Sequence, residues 1–539
     1  MHGTMQDWPL LVHKIIDHAA IYHANREVVS LACEGGVHRS TWAQVRGRAR
    51  RVVAALQGLG IQPGDRVATL AWNTWRHVES WYGISGAGAV AHTINPRLFE
   101  EQIVYIANHA EDRVLFLDLT FIKLVERLAP QMPTIQHYVL LTDRAHMPAD
   151  TSLNLLCYED LVAAHDEAEW VAVPETAPAG LCYTSGTTGN PKGVQYSHRS
   201  NVLHAMAACA TDTFGMSART VVLPIAPMYH ANAWSIPYVA ALAGSKLVMG
   251  GPNFDPPTLH RLIIDEDVDL ALAVPTIWLG MMQYLEKTGL GLGKLDRTAI
   301  GGSAVPRAMI EAYDKLGVKV LQLWGMTEMS PLGTVGAGVP ETEAMDYQQQ
   351  LDVRIKQGRG IFGVEMKIVD DDGRELPRDG KAFGRLLVRG PWIVGSYFKG
   401  DGASAFEDGW FDTGDVATLD PLGYMQIVDR AKDVIKSGGE WVSSIDLENV
   451  AVGAPGVAEA CVIGVHHPKW DERPLLLVVP REGADVTKAG VLAYLEGRIA
   501  KWWTPDDVLV VPSLPHTATG KLLKTALREQ YKDYRLPTA

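Results

Sequence analysis

Apolar positions along this chain follow two alternating patterns. Short β-branched runs such as VVLPIAP (Val221–Pro227) and LLVRG (Leu386–Gly390) have the unbroken apolar character of buried strands. The segment TWAQVRGRARRVVAALQGLG (Thr41–Gly60) instead places Val45, Ala49, Val52, Val53 and Leu56 at three- and four-residue steps. That is the period of a helix with one buried face, and Gly60 ends it. Strands alternating with helices over roughly the first four hundred residues predict a largely parallel α/β sheet. From about Gly363 to Asp429 the strands become shorter and closer, with turns at DDDG (Asp370–Gly373) and DPLG (Asp420–Gly423), so a β-rich subdomain is expected there. A boundary falls near DRAKD (Asp429–Asp433). Beyond it lie strands at ACVIGV (Ala460–Val465) and LLLVV (Leu475–Val479) and a helix over Lys488–Ala500, enough chain for an independent α+β domain. The predicted fold is α/β: a large N-terminal body of several subdomains and mixed sheets, followed by a small C-terminal domain.

Composition narrows the function classes. A chain of 539 residues with 47% apolar and 21% charged side chains can fill more than one core and is not disordered. Its 62 acidic against 49 basic side chains, a net charge of −13, weigh against nucleic acid or an anionic membrane surface as main partner, because both call for a basic footprint. The longest stretch without Asp, Glu, Lys or Arg, Thr220–Ser245, is interrupted by Pro224, Pro227, His230, Asn232 and Pro237 and is a poor membrane span. Cys33, Cys157, Cys182, Cys209 and Cys461 are dispersed and never spaced C-x-x-C, which reads as reduced structural thiols in a cytoplasmic protein. The N-terminal segment carries Asp7, His13, Lys14 and Asp17 where a signal peptide needs an unbroken apolar core.

The most informative stretch is YTSGTTGNPKGV (Tyr183–Val194), which holds three glycines, three threonines, one serine and one lysine after a short apolar run. Glycines let backbone N–H groups converge, hydroxyls add donors, and lysine adds charge, so the loop suits a phosphate. Its spacing is not that of the common G-x-x-x-x-G-K-[ST] nucleotide loop. Four further motifs follow in the chain: WGMTE (Trp324–Glu328), WFDTGD (Trp410–Asp415), DRAKDVIKSGGEWVSS (Asp429–Ser444) and PHTATGKLLK (Pro515–Lys524). In this order and together with the loop they resemble the adenylate-forming superfamily of acyl-CoA synthetases, peptide-synthetase adenylation domains and beetle luciferases.

That resemblance implies roles residue by residue. Thr184, Ser185, Gly186, Thr187, Thr188, Gly189 and Lys192 are similar to the superfamily's phosphate loop, and Gly301, Gly302 and Ser303 to its turn along adenine and substrate. Trp324 stands where a tyrosine is usual and keeps a π face for adenine; Gly325, Met326 and Thr327 continue that motif. Asp415 would accept both ribose hydroxyls, since an ionised carboxylate has only acceptors, with Arg430 steadying the ribose. Glu328 and Thr184 would hold Mg²⁺, a hard cation that takes oxygen ligands. Lys521 would stabilise the charge gathered at the α-phosphorus as a carboxylate attacks ATP. The resemblance also implies a small mobile C-terminal domain (435–539) that swings against the body (1–429) about a hinge at 430–434, with Lys432 the pivot. Lys436, Gly438, Gly439 and Glu440 would then serve the thioester step with coenzyme A. A homodimer through the N-terminal region is a further implication.

The acid itself is approached through MYHANAW (Met228–Trp234). No Asp or Glu stands between Met228 and Pro237 to pair a substrate ammonium, which disfavours amino acids. His230 would orient the carboxylate or line the thiol path, Trp234 resembles an acyl-tunnel gate, and Pro331 and Gly301 complete the expected pocket. Trp278, Met281 and Met282 add either pocket wall or plain core. At finer grain HTINPRLF (His92–Phe99), SGGEW and HPKWDERP (His467–Pro474) resemble medium-chain fatty acyl-CoA ligases and the 3-methylmercaptopropionate–CoA ligases of marine sulfur metabolism. The reaction expected is an AMP-forming acid–CoA ligation on 3-methylmercaptopropionate, with a medium-chain fatty acid as alternative. A luciferase-like oxygenase, a carrier-protein acyl-AMP ligase and a non-catalytic nucleotide binder are the competing classes.

Overall fold

The structure, a computed structural model, describes residues 3–184, 190–430, 433–437, 440–516 and 522–539, with the backbone alone at 232, 440 and 441. Two large sheets and a smaller third one carry the chain. The helix Trp42–Gly58 forms where the periodicity placed it. Thr41 caps it reciprocally with Gln44, and Trp42, Val45, Ala49, Val52, Val53 and Leu56 are buried. Its neighbour, Trp75–Gly86, is buried along its whole length. The two helices approach so closely that a Cβ at Gly83 would lie 2.5 Å from a methyl of Val52, so only glycine fits there.

The first sheet has seven strands, ordered Leu155–Cys157, His137–Leu140, Asp112–Leu117, Arg66–Leu70, Val90–Thr93, Pro178–Tyr183 and Gly193–Ser197. Every pairing is parallel except the last, so the two strands that flank the phosphate-loop motif pair antiparallel at its edge. The second sheet has fourteen strands. It runs in parallel from Glu27–Leu31 through Lys246–Met249, Val221–Pro224, Leu270–Ala273 and Arg297–Ile300 to Lys319–Gly325. There it changes character: residues 319–322 pair in parallel with Arg297–Ile300, while Leu323 and Trp324 pair antiparallel with Leu332–Val335. All later strands to Glu365–Val369 are antiparallel. The β-rich stretch anticipated after Gly363 is therefore a continuation of the parallel sheet, and Trp324-Gly325 sits on the seam.

The C-terminal residues form the third sheet, from Ile435–Ser437, Glu440–Val442, Val457–His467, Asp471–Pro480 and Asp507–Val510. Both apolar clusters on its faces consist of residues beyond 434, so this part has its own core. Two predicted elements need correction. The helix begun at Lys488 ends at Leu495 rather than Ala500, because Glu496 leaves helical backbone and Gly497 adopts φ +74°. The strand from Val221 stops at Pro224 rather than Pro227, since beyond it the chain turns toward Asn73. Among the described residues no helix is long and apolar enough to cross a membrane.

Candidate active site

The hairpin that carries the phosphate-loop motif is closed at its base by two bonds. Thr184 N–H donates to the Lys192 carbonyl at 2.9 Å, and Lys192 N–H donates to Thr184 Oγ1 at 3.1 Å. Ser185, Gly186, Thr187, Thr188 and Gly189 lie outside the described residues. Lys192 Nζ stands 5.0 Å from the centre of the Tyr397 ring, a cation over a π face. Tyr397 in turn donates its phenolic O–H to Glu328 Oε1 at 2.7 Å. Burial, and then the Glu328 charge, push the Tyr397 phenol well above its ordinary range, so it stays a donor. Loop base, tyrosine and buried carboxylate are thus one connected set.

Glu328 is placed by the turn that follows the seam strand. Gly325 is obligatory there, because a Cβ would lie 1.8 Å from the Pro331 carbonyl oxygen, the same oxygen that accepts from Met326 N–H at 3.0 Å. Tyr196 O–H holds the Thr327 carbonyl at 2.7 Å, and Val394 N–H holds the Glu328 carbonyl at 2.8 Å. Glu328 and the Thr184 hydroxyl offer oxygen donors only, the chemistry that suits Mg²⁺.

Asp415, 1% exposed, faces the same seam from the strand Trp410–Leu419. Its Oδ2 accepts Trp324 Nε1–H at 3.0 Å, and its Oδ1 lies 2.8 Å from Arg430 Nε on the neighbouring strand, in direct register. Arg430 also donates to the Thr413 carbonyl at 3.2 Å. The carboxylate is fixed in rotation by two donors, yet has acceptor positions to spare. Trp324 is 7% exposed, with its ring against Gly333, where a Cβ would meet it at 2.8 Å.

The third group lies around Trp234. Ala231, Ala233, Trp234 and Ser235 all take positive φ, between 39° and 60°. Such backbone costs a non-glycine residue about 1–2 kcal/mol and persists only where the surroundings over-determine it. Here Asn73 does so from one side, accepting from Met228 N–H at 2.7 Å and donating to the Pro224 and Ala226 carbonyls. Ser235 Oγ–H does so from the other, donating to the Ser330 carbonyl at 3.1 Å. The turn directs the Trp234 indole onto Gly301, where a Cβ would lie 3.5 Å from Cη2. His230 opens this turn and is half-buried; Gly302 (φ +93°) and Ser303 are exposed on the turn after Ile300. His204 accepts from Leu332 N–H at 3.1 Å, just past Pro331, and burial lowers its pKa to about 3, so it stays a neutral acceptor.

Thr184, Lys192, Thr327 and Glu328, then Trp324, Gly325, Asp415 and Arg430, and finally Trp234, Gly301 and Pro331 are brought together along one seam. Trp278 and Met281 are core, packed under Tyr313. Lys436 stands on the third sheet with an exposed side chain and its N–H on Glu472, and Glu440 pairs with Ser437 in the same hairpin. Lys432, Gly438, Gly439 and Lys521 lie outside the described residues. Sequence reasoning missed Tyr397, Tyr196, Asn73, Ser235 and His204. None sits in a glycine-rich or charged motif, and their partners are far off in the chain.

Residues 16–398 match the model of the AMP-binding enzyme family, and residues 446–521 that of the AMP-binding enzyme C-terminal domain. The chain is 51% identical to the 3-methylmercaptopropionyl-CoA ligase of Ruegeria lacuscaerulensis over 99% of both chains. It is 46% identical to the medium-chain-fatty-acid–CoA ligase of Ectopseudomonas oleovorans, over 99% of this chain and 98% of that one. The anthranilate CoA ligase AuaEII, solved with anthranoyl-AMP, shares the fold with a TM-score of 0.86 at 23% identity, over 98% of this chain and 99% of that one. The chain belongs to the AMP-binding enzyme family of adenylate-forming enzymes and is an AMP-forming acid–CoA ligase, with ATP and coenzyme A as co-substrates.

Proposed function

We propose that this ligase acts on 3-methylmercaptopropionate (3-methylthiopropanoate), forming its coenzyme A thioester, AMP and diphosphate through an acyl-adenylate. The observation that carries the reading is the 51% identity, over 99% of both chains, to a ligase named for that acid. Two features of the substrate segment support it. There is no Asp or Glu from Met228 to Pro237 to pair an ammonium, and the Trp234 indole against Gly301 gives a flat aromatic wall on which a thioether packs well.

In the first half-reaction a carboxylate oxygen attacks the α-phosphorus of ATP, a P–O bond forms, and diphosphate leaves. Thr184, the loop 185–189, Lys192 and Thr327 bind phosphate oxygens. Trp324 with Gly302 and Ser303 borders adenine, and Asp415 accepts the ribose hydroxyls while Trp324 and Arg430 hold it in place. Lys521 stabilises the charge that develops at the reacting phosphorus. Bound at Thr184 and Glu328, Mg²⁺ would neutralise phosphate charge. His230, Gly301, Trp234 and Pro331 line the acid. In the second half-reaction the coenzyme A thiolate attacks the acyl carbonyl and AMP leaves. A swing of the C-terminal domain (435–539) against the body (1–429) about 430–434, pivoting at Lys432, brings Lys436, Gly438, Gly439 and Glu440 to serve it. The reading includes a cytoplasmic enzyme and a homodimer, the latter supported by Trp8, Ile21 and Tyr22 standing exposed near the N-terminus.

The test is diphosphate release with ATP, Mg²⁺ and coenzyme A across acetate, butyrate, 3-methylmercaptopropionate, hexanoate, octanoate and palmitate. A kcat/KM maximum at the methylthio acid is expected. A maximum at octanoate or beyond would transfer the reading to a fatty acid, the alternative that the 46%-identical relative supports. Silence on every acid would overturn both.

A further inference from the structure

A set of buried charges meets where the last helix, Lys524–Gln530, passes the junction between the body and the C-terminal domain. The reaction as described uses none of them. Lys524 Nζ lies 2.8 Å from Glu448 Oε1, with side chains only 10% and 13% exposed. The same ammonium donates to Ser444 Oγ. Ser444 passes the contact on: its O–H and its N–H both donate to Asp429 Oδ2, at 2.5 and 3.0 Å. Asp429, 1% exposed, belongs to the strand Tyr424–Arg430 of the body, and its other oxygen accepts Arg430 N–H at 2.8 Å. One turn further along the last helix, Arg528 pairs with Asp433. Two cations spaced i and i+4 thus reach the carboxylates on either side of residues 431–432, Arg528 directly at Asp433 and Lys524 through Ser444 at Asp429.

The two bonds of Lys524 differ in kind. Glu448 lies in the C-terminal domain, so that pair is internal to it. Ser444 also lies there, but its hydroxyl ends on a carboxylate of the body. A buried charge separated from its partner is costly, so the chain Lys524–Ser444–Asp429 holds only in domain orientations that keep it intact. Asp429 is also one residue from Arg430, whose guanidinium grips Asp415.

The geometry points to Lys524 as a positioning residue for adenylation: through Ser444 it tethers the C-terminal domain to Asp429 of the body, and the domain orientation held in this way is assigned to the half-reaction in which Lys521 acts. This rests on the adenylation role proposed above for Lys521.

The experiment measures the half-reactions apart in the full-length enzyme. Adenylation is followed by ATP–diphosphate exchange with 3-methylmercaptopropionate and Mg²⁺, and the second step by thioester formation from supplied 3-methylmercaptopropionyl-AMP plus coenzyme A. Lys524→Met is expected to slow exchange by about 10- to 100-fold, the loss of one charge-assisted contact, with thioester formation changed by no more than about twofold; Lys524→Arg restores most of the exchange. Should Lys524→Met fail to fold, Ser444→Ala, which leaves the Lys524–Glu448 pair in place, is expected to show the same split at about five- to tenfold. Equal losses in both half-reactions, or no loss in either, would overturn the tether. Lys521→Ala run in parallel separates the two failures. If it too shows no split, the role of Lys521 falls and the tether with it; if it splits and the tether variants do not, the tether alone is wrong.

Discussion

The body and the C-terminal domain meet the same reaction in different ways. In the body, the groups around Trp324, Glu328 and Asp415 are held by bonds that arrive from several strands and one turn: Tyr196 on Thr327, Tyr397 on Glu328, Trp324 and Arg430 on Asp415. The C-terminal domain has its own core on both faces of its sheet and touches the body near the junction through Ser443, Ser444 and Asp446, bonded to Val428, Asp429 and Gln426. On the proposed reading the difference is a division of labour: one fixed nucleotide site would serve both half-reactions, while a domain with its own core would bring different groups to each. Damage to the body should therefore hurt both half-reactions, and damage to the C-terminal domain should split them.

The largest effect is expected at Lys521. Lys521→Ala should slow adenylation by about three orders of magnitude or more, as loss of a transition-state charge contact does, while supplied acyl-adenylate is still converted to thioester at near its normal rate. Parallel loss of both activities would erase the distinction between the two regions. Gly325→Ala probes the other side. Its Cβ would need the space of the Pro331 carbonyl oxygen, so the turn carrying Thr327 and Glu328 must shift. A displacement of that order costs about 100-fold, and it should appear in both half-reactions, read from the same two assays. A loss confined to one of them would mean that the turn serves only that step.

How far the sequence disclosed this design depends on the range of the contacts. The helix Trp42–Gly58 was legible because its determinants are local: a capping threonine, an apolar stripe and a terminal glycine. The predicted run to Ala500 overshot because its apolar pattern continued past Leu495 while Gly497 had already turned the backbone. The same holds in the site. Asp415 and Glu328 stand inside compact motifs and could be named. Tyr397 lies 69 residues from Glu328 and Ser235 lies 95 from Ser330, in segments with no motif, so only the fold reveals that each holds its partner. The left-handed turn at Ala231–Ser235 was hidden for a related reason. It contains no glycine, and long-range bonds from Asn73 and Ser235 impose a backbone that local preference disfavours.

The smallest effect is a difference in how the two regions respond to acid. The body buries His13, His77, His198 and His204 as neutral rings, and burial lowers the first three to about 4 and His204 to about 3. Their stabilising contribution is complete above the unfolded value near 6.5 and is lost as pH falls toward the folded values, because the unfolded chain takes up protons first. Each such group steepens the loss by up to about 1.4 kcal/mol per pH unit. The helix Ser444–Val452 carries the opposite case. Burial raises Asp446 to about 6, beside Ser443, Gln426 and the Asp429 charge. A carboxyl raised in this way stabilises most at low pH and loses that contribution as pH rises from about 4 to 6. Between pH 6.5 and 5, hydrogen exchange should therefore quicken in His198–Cys209, the helix that carries His198 and His204, while Ser444–Val452 holds its protection or gains some. Equal quickening in both helices would mean that the regions unfold as one unit, against the separate cores from which the comparison starts.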